Sequence, residues 1–326
     1  MSTIEVKNLK RYYKVYQKEE GLRGSIRGLF SRKYYDVKAV DDISFDLEEG
    51  ELVGFIGPNG AGKTTTLKCL CGLLFPSSGN VSVLGYKPFD RKANFLKQIS
   101  IIMGQKNQLW WDLPAIDTFL LNKEIYEVPH KQYQAVLDEL VEMLEVRDLL
   151  KVQVRKLSLG QRMKMELIAG LIHSPKVLFL DEPTIGLDVL MQKKLREFIK
   201  DYNTRYKATI ILTSHYMEDV KELCKRVILI DRGSLIFDSS FAKLAKEIAD
   251  YKLISFVLEE PVEIEQLQQI GVVKNYDFPG ATIAVPREFS IKKSVEILEK
   301  LKISDLNIEE PKVEDIIREA FSAEKR

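Results

Sequence analysis

The chain is poor in the residues that staple small scaffolds or build histidine-rich metal centres: 326 residues hold three cysteines and three histidines. Cys69, Cys71 and Cys224 are odd in number, lie among apolar helical neighbours and lack CxxC spacing. That excludes a disulfide framework and a thiolate zinc site, and it fits buried reduced thiols. His130, His173 and His215 are far apart in sequence, so a histidine-based metal site is set aside. An excess of either charge is also missing, with 49 Lys plus Arg against 48 Asp plus Glu, so no global field draws nucleic acid or acidic lipid to the molecule. No apolar run approaches the roughly 18–20 residues needed to cross a bilayer, and residues 1–5 carry no secretory pattern. A soluble chain on the cytoplasmic side is expected. What is present is a globular balance, 45% hydrophobic and 30% charged, and a length that suggests about two domains at roughly 150 residues each.

Residues 3–16 read as a strand. Residues 17–37, rich in Gly, Arg and Tyr, read as an inserted loop or short helix. Its basic neighbourhood is either a solvated face or a surface resting near anionic headgroups or phosphates. Strands are expected at 39–47 and 51–56, the second with the continuous apolar character of a buried strand. A helix is expected over 63–74, ended by the breaker cluster Pro76-Ser77-Ser78-Gly79. Strands follow at 81–84 and 99–103. Residues 109–201 are mostly helical in pattern, interrupted by a strand at 176–180, and short apolar runs at 209–213 and 227–231 add two more. Strands alternating with helices predict an α/β fold with a parallel, helix-covered sheet. From about residue 236 the character changes. Strands at 253–258, 272–276 and 282–285, a helix at 291–301 and a last helix at 313–321 after Pro311 predict a small α+β domain.

Gly57-Pro58-Asn59-Gly60-Ala61-Gly62-Lys63-Thr64 matches GxxxxGK[ST], directly after a buried strand and opening a helix. The glycines let successive backbone N–H groups turn onto phosphate oxygens, and the helix N-terminus adds its dipole. Lys63 is expected to reach the β- and γ-phosphates and the Thr64 hydroxyl to ligate Mg²⁺, with Thr65 offering a second hydroxyl. Further on, an apolar strand runs out into Asp181 and Glu182. Asp181 is expected to hold Mg²⁺ through water, and Glu182 to polarise the water that attacks the γ-phosphate. Together the two motifs signal a nucleotide hydrolase.

Leu157-Ser158-Leu159-Gly160-Gln161 lies between them and resembles the LSGGQ signature of ABC-transporter ATPases. Leu159 departs from that pattern, while Ser158, Gly160 and Gln161 match it, and a helix is expected to follow over 164–172. The resemblance spans roughly residues 3–240 and implies a P-loop NTPase cassette at 1–240, with a helical subdomain at about 106–172 and an accessory α+β domain at 250–326. It implies ATP and Mg²⁺ as ligands. It makes Gln105 the Q-loop glutamine that senses Mg²⁺ and the membrane partner, Gly186-Leu187-Asp188 the D-loop, and His215 the switch histidine that contacts the γ-phosphate. It calls for an aromatic stacked on adenine, with Tyr13 the first choice and Tyr34 and Tyr35 the alternatives, contributing about 1 kcal/mol.

The resemblance further implies a two-fold dimer, of like or of related subunits, in which the phosphate loop of one faces the signature loop of the other. The segment around Trp110 and Trp111 reads either as one buried and one surface ring or as an apolar socket for a cytoplasmic helix of a membrane partner. Its wording and the early insertion look like ATPase subunits of ABC-2 type exporters. The implied function is an ATPase peripheral to the cytoplasmic face of the membrane, powering export through separately encoded permease subunits, with no nucleic acid involved. A soluble ABC ATPase acting on ribosomes or DNA is the rival, against which stand the single phosphate loop and the lack of sustained heptads. A degenerate regulatory cassette is argued against by Lys63, Asp181, Glu182 and His215. Glu259, Glu260, Glu263 and Glu265 offer no catalytic geometry and read as a solvated face.

Overall fold

The computed structural model describes residues 2–16, 34–104, 106–214, 216–248, 250–311, 315–317, 319 and 321. The chain divides into two compact units, Met1–Ser239 and Ser240–Arg326. In the first, a six-stranded sheet runs in the order β5 (Ile99–Met103), β6 (Val177–Asp181), β7 (Thr209–Thr213), β3 (Leu52–Ile56), β8 (Arg226–Asp231), β9 (Ser234–Ser240). The pairs from β5 through β8 are parallel. β3, β6 and β7 are buried at every position, which is why their sequences are unbroken apolar runs rather than alternating ones. The α/β expectation holds.

A second, antiparallel sheet places β1 (Ile4–Tyr16) between β2 (Tyr34–Leu47) and β4 (Ser78–Val83). Ile4, Leu9, Ile43 and Leu47 of this sheet share a core with Phe55 and Leu67, so α1 (Lys63–Leu70) is gripped between the two sheets. The helical part comprises α2 (Ala115–Ile125), α3 (His130–Leu144) and α4 (Leu159–Leu171). It is followed after β6 by α5 (Val189–Tyr206) and α6 (Met217–Leu223).

Several boundaries differ from the sequence expectation. The helix expected to reach residue 74 ends at Leu70, because Gly72 turns the backbone at φ +74° and presses so close to the Pro88 carbonyl that a Cβ would stand 2.2 Å from it. Residues 34–37 belong to β2 rather than to an inserted loop, since the ladder continues from Tyr12↔Lys38 out to Tyr16↔Tyr34. The insertion proper, 17–33, lies outside the described residues. Ser78 and Gly79, read as breakers, start β4, and Ser78 pairs with Lys10.

The second unit is a four-stranded antiparallel sheet in the order β11 (Val272–Asp277), β12 (Gly280–Pro286), β10 (Tyr251–Leu258), β13 (Ile303–Glu309). α7 (Phe241–Ile248) precedes it, and α8 (Ile264–Ile270) and α9 (Ser290–Lys300) contribute Leu267, Ile270 and Ile297 to its core. Edge strands β9 and β13 escaped the sequence reading because, half-exposed and partly polar, they hold no more than the short apolar run Leu235-Ile236-Phe237 in β9 and the spaced Ile303, Leu306 and Ile308 in β13. Of the expected last helix, residues 315–317, 319 and 321 are helical.

Candidate functional site

The loop at 57–64 joins a fully buried strand to α1, and two of its glycines are forced by close approach. A Cβ on Gly57 would stand 2.3 Å from the Ile230 carbonyl, and one on Gly62, at φ +106°, 2.3 Å from the Ala39 carbonyl. At Gly60, φ +82°, a Cβ would meet nothing within 4 Å, so the loop's crown opens outward. Lys63 is 6% exposed, and its ammonium donates to the carbonyls of Gly57 at 2.6 Å and Pro58 at 3.1 Å. Burial pushes its pKa down, while the nearby Glu182 and Asp181 carboxylates act the other way. A buried cation held by two carbonyls beside an open crown is suited to an anion.

Asp181, at the end of β6, is the hub. Its Oδ2 accepts from the Thr64 hydroxyl at 2.8 Å and its Oδ1 from the Thr213 hydroxyl at 2.7 Å. Thr213 Oγ1 in turn accepts from the Glu182 N–H at 3.0 Å. Glu182 stands at φ +55°, a left-handed backbone that costs a non-glycine residue free energy and persists only where the surroundings impose it. Gly104 leaves room for it. Its N–H donates to the Asp181 carbonyl at 2.9 Å, and a Cβ on it would stand 2.1 Å from the Glu182 carbonyl. Thr64, Met103, Lys106, Asp181 and Glu182 line a cavity of about 140 Å³. Hard oxygen donors beside an ammonium fit Mg²⁺, which takes one or two protein ligands and completes its shell with phosphate oxygen and water. No cluster of three or more His, Cys, Asp or Glu occurs among the described residues, and such a site needs none. Gln105 and His215 lie outside the described residues.

Ser158 caps α4. Its Oγ accepts from the Gln161 N–H at 3.2 Å, and the Gln161 Oε1 accepts from the Ser158 N–H at 3.0 Å. This reciprocal pair starts the helix at Leu159, five residues before the sequence reading placed it, and the S-x-x-Q spacing carries that signal. Leu159 packs on Gly186, where a Cβ would meet its Cδ2 at 2.8 Å, and Gly160 backs onto Met191. Asp188 caps α5 by accepting from the Met191 N–H at 2.9 Å. Among the described residues, Ser158, Gly160 and Gln161 make no hydrogen bond to the loop at 57–64 of their own chain.

The three tyrosines sit at different depths of the β1–β2 ladder. Tyr13 pairs with Val37, two residues from the Ala39 carbonyl that abuts Gly62, whereas Tyr35 and Tyr34 are four and five residues away. The Arg11 guanidinium lies over the Tyr13 ring, 4.5 Å from its centroid. Tyr34 and Tyr35 are exposed.

Trp110 and Trp111 are 52% and 48% exposed, which overturns the reading with one of them buried. They follow a loop anchored by a residue the sequence did not single out. Glu166 of α4, itself buried, accepts from the N–H of Gln108 at 3.0 Å and of Leu109 at 3.3 Å. Burial pushes its carboxyl pKa up, and these two bonds pull it back. The Arg162 guanidinium lies 5.6 Å from the centroid of the Trp111 ring. A second unforeseen centre is Asp219, fully buried. It accepts from Thr184 and Ser214 hydroxyls, both at 2.6 Å, and pairs with Arg196 at 2.9 Å. It ties the segments after Glu182 and after β7 to α5 and α6.

Residues 40–185 match the pattern of the family described as ABC transporter, and residues 250–309 that described as EvrA-like ABC transporter, C-terminal domain. The chain is similar to the ABC transporter ATP-binding protein NatA of Bacillus subtilis, 35% identical over 218 residues that cover 66% of this chain and 88% of that protein. It is similar to the bacitracin transport ATP-binding protein BcrA of Bacillus licheniformis, 28% identical over 290 residues covering 86% and 93%. An ATP-binding subunit of an ABC transporter superposes with a TM-score of 0.63 at 22% identity, covering 82% of this chain and 98% of that one. A dimeric ATP-binding cassette in a post-hydrolysis state with ADP and Pi superposes with a TM-score of 0.60 at 21% identity, covering 73% and 98%. At that identity the likeness speaks to the fold.

Proposed function

The chain belongs to the ABC transporter family as an ATP-binding subunit and ATPase, and on that premise we propose which residues do its work and where its membrane partner docks. One observation carries the proposal: Thr64, Asp181, Glu182 and Thr213, from three separate stretches of chain, form a continuous hydrogen-bonded set beside the Lys63 ammonium. Gly57 to Thr65 cradle the phosphates. Lys63 leaves the Gly57 and Pro58 carbonyls for β- and γ-phosphate oxygens, its charge favoured by the adjacent acids. Thr64 and, through water, Asp181 would hold Mg²⁺, which would supply neutralisation of phosphate charge. Glu182, fixed by its constrained backbone, accepts the proton of the attacking water. Gln105 and His215 keep the roles that the family resemblance gives them, and Tyr13, nearer Gly62 along the ladder than Tyr34 or Tyr35, stacks on adenine. Ser158, Gly160 and Gln161 face the ATP of the other subunit in a closed dimer. The Ser158 Oγ accepts within its cap, which leaves its O–H to donate outward.

BcrA is named for bacitracin transport, and the surface here fits a membrane partner. Trp110 and Trp111 stand exposed, and Gln108, two residues before Trp110, lines a groove of about 410 Å³ together with Leu73, Ile101, Ile125 and Tyr126, which suits a short amphipathic helix of a permease. Among the described residues no helix is long and apolar enough to cross a membrane. The proposed site of action, as the family resemblance implies, is the cytoplasmic face, bound to separately encoded export subunits and to no nucleic acid. Co-purification from detergent-solubilised membranes of the native host tests this. A stoichiometric polytopic protein, lost in a Trp110→Ala/Trp111→Ala variant, is the expected result. Ribosomal proteins or a wholly soluble partner would overturn the transport reading while leaving the ATPase in place.

A further inference from the structure

The second unit carries a surface that nothing in ATP hydrolysis uses. α9 turns Ser290, Ser294 and Ile297 inward onto the β-sheet, while Ile291, Val295 and Leu298 are 76%, 48% and 59% exposed. Spaced four and three residues apart, the three line one stripe of the helix. Along one edge of that stripe stand Lys292 and Glu299, both exposed and neither hydrogen-bonded nor ion-paired among the described residues. The other charges of the helix are consumed internally: Glu296 binds Lys293 at 2.8 Å and Lys300 at 2.7 Å.

We propose that this face of α9 docks on the same face of a second copy of the chain, with the two helices antiparallel about a two-fold axis. The sequence of the stripe is its own complement in that arrangement. Ile291 of one copy meets Leu298 of the other, Val295 meets Val295 on the axis, and Lys292 lies against Glu299 twice, because a two-fold in the interface plane keeps one edge of both helices on the same side. A lipid surface would require a basic edge, and here the edge is half acidic. Three side chains bury on the order of 300 Å² per copy, well under the roughly 800 Å² of a standard interface. The contact is therefore weak alone. It serves to raise the effective concentration of one ATPase unit at the other, and it needs no nucleotide.

Disulfide capture in the full chain without nucleotide tests this, independently of any role assigned to the ATP site. The three native cysteines are buried and stay out of mild oxidation. Val295→Cys should cross-link to a covalent dimer about tenfold or more faster than Glu265→Cys, an exposed control on α8. Adding Lys292→Glu should slow capture by setting acid against acid, and adding Glu299→Lys to that variant should restore it. Equal rates for Val295→Cys and Glu265→Cys would overturn the proposal. So would a rate indifferent to the single reversal, or a double reversal that fails to rescue.

Discussion

Thr213→Val removes one oxygen and keeps the volume of a side chain that is wholly buried. The lost hydroxyl donates to Asp181 Oδ1 at 2.7 Å and accepts from the Glu182 N–H at 3.0 Å. The second loss is cushioned, because that N–H also reaches the Thr213 carbonyl at 3.1 Å. The first is not, since Asp181 is 8% exposed and water cannot easily replace the donor. A hydrogen bond to a charged group contributes about 1.5–3 kcal/mol, so the valine variant should lose about 2 kcal/mol. In a unit of this size that lowers the midpoint of thermal unfolding by about 4–8 °C. Thr213→Ser keeps the hydroxyl and gives up a methyl group, for about 0.8 kcal/mol. Thermal melts of the three proteins, read at the transition of the ATPase unit, should rank parent, serine, valine. MgATP titration should show weakened binding for valine and near-parent binding for serine, because only valine frees the Asp181 carboxylate to rotate. A valine variant that melts with the parent and binds MgATP as tightly would refute the idea that Thr213 holds Asp181 in place.

Lys63→Ala should bind ATP roughly tenfold to a hundredfold more weakly, the equivalent of a charge-assisted hydrogen bond; unchanged affinity by calorimetry would sink the phosphate-loop assignment. Glu182→Gln should retain ATP and accumulate as a nucleotide-dependent dimer in size-exclusion chromatography, and hydrolysis at the parent rate would remove Glu182 from the chemistry. Glu166 has a folded pKa raised by burial, so the folded chain binds its proton more tightly than the unfolded chain does. Its contribution is best below the ordinary carboxylate range and declines as pH rises from there through the raised folded value. Glu166→Gln does not titrate, so urea melts across that window should move in its favour relative to the parent as pH rises; parallel curves would contradict the assignment.

What was legible in the sequence was chemistry that needs contiguous residues. A glycine-rich loop between a buried strand and a helix, and an acid pair at the end of another buried strand, are local patterns, so the placement of Gly57 to Thr64 and of Asp181 with Glu182 could be read directly. What was not legible is assembled across the chain. Thr213 lies 32 residues from Asp181, Thr184 lies 35 from Asp219, and Glu166 lies 58 from Gln108. A threonine ending an apolar strand or a glutamate within a helix looks the same whether or not such a partner waits for it. The start of α4 was missed differently: the signature residues drew a functional reading, although Ser158 and Gln161 also form a local capping pair.

The contact between Gly104 and the Glu182 carbonyl bears on sequence freedom. Its φ is not one that only glycine favours, so no turn rule marks position 104, and alanine would suit the backbone well. The exclusion comes entirely from space, since the first carbon of any side chain would stand 2.1 Å from a main-chain oxygen that the acid pair cannot surrender. A saturation library selected for ATPase activity should therefore return glycine alone at 104, while Gly60, with open room around it, accepts asparagine or other residues that tolerate a left-handed backbone.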